Sequence, residues 1–297
     1  MTSPQSATAP AGDDTGVDTD KAQWQTADLD LSAYLDRIGY DGPRTATLDT
    51  LRAVHRAHMS TLSFTNLDLF LGRGNDLEMR NLADRIVGAR RGGYCFEQNL
   101  LLAAALEGLG FSVDRQLARV RRGSTKVRAR THAVLLVESD GRRWLADVGF
   151  GDEGLIEPIP FEDGAELTVG EWTWRVDLDG DEWVLRSRHP DRWFDVYSLR
   201  LEHHFRADFD EANHFTATYP LSTFVGRLIA QRGDDRIRQT LLNRELTTQY
   251  PDGRRETREL SDAEVVTALR DVFHLGVTGE DEAPLRAALD AARPRRS

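Results

Sequence analysis

Between about Phe111 and Leu201 the hydrophobic pattern changes period, and this change restricts the fold more than any other feature of the chain. Before and after it, apolar residues recur at helical spacing; within it, they alternate with polar ones. The segments "HAVLLVE", "RRWLADVGF", "ELTVGEWTWRVDL" and "DEWVLRSR" are separated by Asp-Gly or Gly signals. Alternation sends successive side chains to opposite faces, and Asp-Gly supplies the positive φ of a tight hairpin. The spacing predicts an antiparallel sheet or small barrel between two groups of helices, an α+β chain.

The first group begins with "LDLSAYLDRIGY", where Leu31, Tyr34, Leu35 and Ile38 share a face ahead of the breaker Gly42-Pro43. "TLDTLRAVHRAHMSTL" sets Leu48, Leu51, Val54, His55 and His58 on one stripe, "LADRIVGAR" reads as a third helix, and the stretch after Cys95 as a fourth. After Phe205, helices are predicted in "LSTFVGRLIAQR" and "SDAEVVTALRDVFHL", with a hairpin at "PDGRRE" between them. "DEAPLRAALDAARPRRS" reads as a short helix that frays. Expected units are a helical domain over residues 24–110, a β-barrel over 111–204 and an α/β domain over 205–297. Residues 1–23 lack the apolar content to order themselves and read as a disordered tail.

A net charge of -11 argues against a general nucleic-acid binder, whose footprint is a basic domain. One local Arg cluster, "ARVRRGSTKVRAR" (118–130), reads as a solvated loop or strand edge. With a single cysteine the fold cannot be stapled by an intramolecular disulfide, which fits a reducing compartment. The N-terminus has neither a basic nor an apolar leader segment, and no apolar run reaches bilayer length. The expectation is a cytoplasmic chain without a membrane partner. The acidic "DLDGDE" has its glycine misplaced for an EF-hand and reads as a hairpin turn, so no metal is expected.

The lone cysteine lies in "ARRGGYCFEQNLLLAAALEGLG" (89–110). Gly92-Gly93 permit a tight turn, and strong helix formers follow, so Cys95 falls at a helix N-terminus. Unpaired N–H groups and the helix dipole there favour a thiolate. Locally, a buried structural thiol and a nucleophile fit equally well. A reactive cysteine needs a base, and the base needs an orienting group. If Asp140-Gly141 forms a two-residue turn, Ser139 pairs with Arg142 and paired positions sum to 281. His132 then falls opposite Gly149, and Asp147 lies two places along. With period two, His132 and Asp147 share a face, and a one-residue slip separates them. An Asp inside the apolar "WLADVGF" also needs a partner if it is buried.

"RRGGYCFEQN" (90–99), "THAVLLV" (131–137) and "DVGFG" (147–151) resemble, in order and spacing, three signature segments of the arylamine N-acetyltransferases. "LSFTNLDL" (62–69), "YPLSTFVGRLIAQR" and "FHLGV" are similar to further segments of that family, so the likeness covers roughly residues 29–280. The resemblance implies a helical bundle, a β-barrel and an α/β lid, with a papain-like Cys-His-Asp site where the first two meet. It implies acyl transfer in two stages, from acetyl-CoA to Cys95 and on to an arylamine, arylhydrazine or N-arylhydroxylamine. On that likeness Cys95 is the nucleophile, His132 the base and Asp147 its orienting acid, with the Cys95 N–H a candidate oxyanion donor. Phe64 and Phe150 match pocket aromatics that flank a flat acceptor, a role open beside that of ordinary core residues. Ser63 and Thr65 depart from the family's usual Pro and Glu. That departure keeps a related activity in view: ansamycin amide synthases, which join an arylamine to a polyketide acyl chain delivered by an acyl carrier protein.

Overall fold

The computed structural model describes residues 22–293. The expected disordered tail over residues 1–23 lies outside the described residues, Ala22 and Gln23 excepted. Helix α1 (Leu31–Ile38) starts at Asp30, whose carboxylate accepts the Ala33 N–H at 3.0 Å, and stops at Gly39, with φ 71°. Helix α2 (Leu48–Thr61) buries Leu51, Val54, His55 and His58, the stripe that its spacing predicts. Strand β1 (Phe64–Thr65) and helix α3 (Leu67–Phe70) follow. Helix α4 (Met79–Leu82) continues as a π-helical turn through Ala83–Gly88. Helix α5 (Cys95–Gly108) is buried without interruption from Cys95 to Leu106: residues 100–106 are apolar on every face and must be buried, while Glu97, Gln98 and Asn99 of the first turns are buried with hydrogen-bond partners. It is the axis of the first core, against which Leu35, Leu51, Phe111 and Leu135 pack.

Eight strands then form one antiparallel sheet: β2 (Ser112–Val120), β3 (His132–Ser139), β4 (Arg142–Ala146), β5 (Ile159–Pro160), β6 (Ala165–Val169), β7 (Trp172–Asp179), β8 (Glu182–His189) and β9 (Arg192–Leu199). Their order is β5-β4-β3-β2-β9-β8-β7-β6, and edges β5 and β6 pack together, so the sheet nearly closes into the expected barrel. Val134, Leu136, Trp174, Leu185, Val196 and Tyr197 belong to its core. Asp140 and Gly141 both take positive φ, 52° and 72°, and Ser139 pairs with Arg142 as the turn chemistry predicts.

The C-terminal third departs from expectation. Helix α6 (Arg206–Thr218) forms where no element was predicted, and "LSTFVGRLIAQR" is a turn followed by strand β10 (Ile229–Gly233). Gly226 at φ 71° is incompatible with a continuous helix. Ile229–Gly233 also finds strand partners on both sides, β1 and β11 (Arg238–Leu242), a tertiary pairing that overrides the local pattern. Strands β12 (Glu245–Gln249) and β13 (Arg255–Glu259) complete a second antiparallel sheet, with the predicted hairpin between them. Helix α7 (Asp262–Thr267) opens with a Ser261–Glu264 capping box. Helix α8 (Gly279–Asp290) docks through Leu285 and Leu289. Among the described residues no helix is long and apolar enough to cross a membrane.

Two ionic clamps join the C-terminal third to the rest. Arg91, just before the cysteine, donates to Asp68 and to Asp281, each at 2.7 Å. Arg238 lies over Trp172 at 3.7 Å and donates to Glu153 at 2.9 Å. Glu153 accepts further from Ser187 at 2.6 Å and His189 at 3.0 Å. Burial pushes the Glu153 carboxyl up, but His189, Arg238 and Ser187 together hold it at about 2.

Candidate active site

Cys95 is the first residue of α5, after Tyr94 in extended backbone. The Glu97 carboxylate reaches back to accept the Tyr94 N–H at 2.9 Å, which closes the first turn. Gly92, at φ 70°, leaves no room for a Cβ, which would stand 2.7 Å from Ser63 O. The cysteine is 3% exposed, with Sγ 3.6 Å from Thr131 O on the approach to β3.

His132 and Asp147 are in contact, but the ladder between β3 and β4 ends at Leu135–Ala146, three residues short of the expected His132–Gly149 pair. Asp147 is therefore held from four directions instead of by strand pairing. Its Oδ2 accepts His132 Nε2–H at 2.7 Å, and its Oδ1 accepts Asn99 Nδ2–H and Gly149 N–H, each at 2.9 Å. Its own N–H donates to His55 Nε2 at 3.2 Å. With Nε2 engaged on Asp147, His132 has Nδ1 left, and Cys95 is among the neighbours that favour its charged form. Burial opposes charge on His132, yet the Asp147 carboxylate and the neighbouring sulfur raise it to about 10. Burial opposes the Asp147 charge as well, and His132, Asn99 and Gly149 lower its pKa nonetheless. The ring thus stands beside a carboxylate that favours its protonated form, the environment in which a histidine can take a proton and stabilise the negative charge left behind. Gly149 is the contact that permits this approach, because a Cβ there would lie 2.6 Å from Cys95 Cα.

Several contributors have partners that the sequence pattern does not give. Asn99, one turn after Cys95, donates to Ala133 O at 2.6 Å and accepts Val148 N–H at 3.0 Å, so one amide joins α5, β3 and the Asp147 segment. Its i+4 spacing from the cysteine was the available signal. Tyr197 lies against His132, with centroids 4.9 Å apart. His58 Nε2–H donates to Gln98 Oε1 at 2.8 Å and accepts the Tyr34 hydroxyl on Nδ1 at 2.7 Å. Gln98 in turn donates to Ser63 O at 2.9 Å and Gly93 O at 3.2 Å, behind the cysteine loop.

Of the two sequence-predicted aromatics, Phe150 lies against His132 and Phe64 beside the cysteine loop. The Phe150 ring stands edge-on to His132 at 5.0 Å, with Arg122 over its face at 5.4 Å. Phe64 bridges to Gly93 and packs on Phe224 at 6.0 Å, a third aromatic that the predicted helix concealed. The departures Ser63 and Thr65 donate to Phe273 O at 2.6 Å and Ile229 O at 2.9 Å, so they tie this wall to the C-terminal third of the chain.

The buried histidines predict a pH response. Burial lowers His55 to about 4 and His58 to about 3, from 6.5. Below 6.5 the unfolded chain binds these protons and the folded chain does not, so stability falls as pH falls. The limit is about 1.4 kcal/mol per pH unit for each histidine. Tm is expected to decline as pH drops from 6.5 toward 4, with a shallower slope in His58→Gln. A melting series level across that interval would contradict this assignment.

A cysteine at a helix N-terminus, served by a His–Asp pair on an adjoining barrel, is the papain-like arrangement. A family model described as N-acetyltransferase matches residues 47–282. The arylamine N-acetyltransferase of Escherichia coli K12 is 37% identical over 251 residues, 83% of this chain and 89% of that protein. The crystal structure of the Nocardia farcinica arylamine N-acetyltransferase aligns with TM-score 0.84 and 38% identity, covering 90% of this chain and 97% of the other. The Mycobacterium marinum arylamine N-acetyltransferase, solved in complex with CoA, aligns with TM-score 0.83 and 35% identity, covering 89% and 99%. The chain belongs to the arylamine N-acetyltransferase family and is a transferase.

Proposed function

We propose that the protein moves an acetyl group from acetyl-CoA to the nitrogen of an arylamine or arylhydrazine through an acetyl-Cys95 intermediate. The observation that carries this reading is the His132 ring, bonded to Asp147 through Nε2, with Nδ1 left to serve Cys95 and the cysteine among the groups that favour its charged form. His132 takes the thiol proton, and Sγ attacks the thioester carbonyl. CoA leaves as its thiol with that proton, and the acetyl group remains on sulfur. The amine then attacks, gives its surplus proton to His132 and departs as the amide, which restores Cys95 and His132. Asp147 holds the imidazolium that forms in each half. The Cys95 N–H, at the start of α5, is the candidate donor to the carbonyl oxygen as charge develops there. Phe64 and Phe150, joined by Phe224, supply flat apolar surface for an aromatic acceptor. The relative solved with CoA supports the choice of donor, and a reducing cytoplasm suits the unpaired Cys95.

Incubation with acetyl-CoA alone is expected to add one acetyl group to the intact mass, located on Cys95, and an arylamine should then discharge it. No acetyl-enzyme with acetyl-CoA, but rapid acylation from a carrier-protein thioester, would replace this reading with amide synthesis on a polyketide chain.

A further inference from the structure

We propose that His55 is a positioning residue for Asp147, accepting its backbone N–H where the β3–β4 ladder ends and so holding the carboxylate against His132. The inference rests on Asp147 serving His132 as proposed above.

The chain leaves β4 after Ala146, so the next N–H has lost its place in the ladder. Asp147 is fully buried, and a buried N–H without an acceptor is strongly disfavoured. His55 Nε2, 3.2 Å away on α2, supplies that acceptor. The ring cannot turn from this task, because Nδ1–H donates to Ile156 O at 3.1 Å. That second bond also selects the tautomer, leaving Nε2 unprotonated and able to accept. One imidazole therefore spans both ends of the segment that carries Asp147, Gly149 and Phe150. Gly149 is already in contact with the Cys95 backbone, so displacement of Asp147 shifts it relative to sulfur and imidazole together. Burial keeps His55 neutral down to about pH 4, so the acceptor persists wherever a thiol enzyme works.

Two variants separate positioning from bulk. In His55→Gln the amide oxygen replaces Nε2 and keeps the bond to Asp147, while the bond to Ile156 is lost. In His55→Asn the amide nitrogen replaces Nδ1 and keeps the bond to Ile156, while the bond to Asp147 is lost. Alkylation of Cys95 by iodoacetamide across a pH series, with a melting curve for each variant, reads the Cys–His pair without acyl donor or amine. His55→Asn is expected to react on the order of 10- to 100-fold more slowly at neutral pH, the cost of a misplacement near 1 Å, with its profile displaced to higher pH. His55→Gln should recover most of the rate at a similar Tm. Equal profiles for the two variants, or a wild-type profile in His55→Asn, would overturn the positioning role. Wild-type alkylation no faster than in His132→Ala would instead overturn the Cys–His–Asp reading beneath it. Failure of acetyl-CoA to acylate an enzyme whose Gln and Asn variants differ as expected would leave His55 in its role and remove only the donor.

Discussion

Replacing Cys95 with alanine or serine is expected to abolish acetyl transfer and leave the fold intact. The thiol contributes little to packing that alanine or serine cannot meet: its Sγ has one weak contact, to Thr131 O at 3.6 Å. Its chemistry has no substitute, since no other cysteine exists in the chain. A serine hydroxyl beside His132 meets an imidazole matched to a far more acidic thiol, so it remains protonated. Loss of a nucleophile in a triad of this kind costs on the order of 10⁶ in kcat. Steady-state turnover with an arylamine, together with intact mass after acetyl-CoA and a melting curve, tests this. Turnover near the wild-type rate in a folded Cys95→Ala protein would remove the covalent mechanism.

Asp147→Asn is expected to lower kcat by about 10⁴, the loss seen when an orienting aspartate becomes neutral in a comparable triad. The asparagine fits the space, but it cannot satisfy the same partners. Oδ1 and Oδ2 accept three N–H groups, from Asn99, Gly149 and His132. An amide offers one acceptor oxygen and turns its NH2 toward a donor. Either His132 loses its Nε2 partner and turns, or Asn99 and Gly149 lose theirs. In both cases the negative charge that raises His132 is gone, so the imidazolium forms at lower pH. Rates measured across pH should show the profile displaced as well as reduced. A loss below about tenfold with an unchanged profile would mean that Asp147 is structural.

The sequence carried the fold unevenly. The helical stripes of α1 and α2 and the Asp-Gly hairpin were legible because each follows from local period and turn chemistry. The stretch after Tyr219 was misread because its apolar spacing suits a helix, and only pairing with β1 and β11 makes Ile229–Gly233 a strand. Phe224 was hidden by the same error. His55 and His58 were visible as members of a buried stripe, but nothing in a stripe says which distant N–H or carbonyl a ring will meet.

What the sequence determined by itself is the set of groups proposed to react. One cysteine stands at a helix start, and parity about Asp140-Gly141 puts a histidine and an aspartate on one face, because side chains in strands alternate. Parity decides a face and does not decide a distance. The 2.7 Å contact between His132 and Asp147 arises where the ladder has already stopped. It is held by Asn99 from α5 and His55 from α2, which lie 48 and 92 residues from Asp147 along the chain. Those bonds exist only after the cores have packed, since burial removes the water that would otherwise satisfy each group.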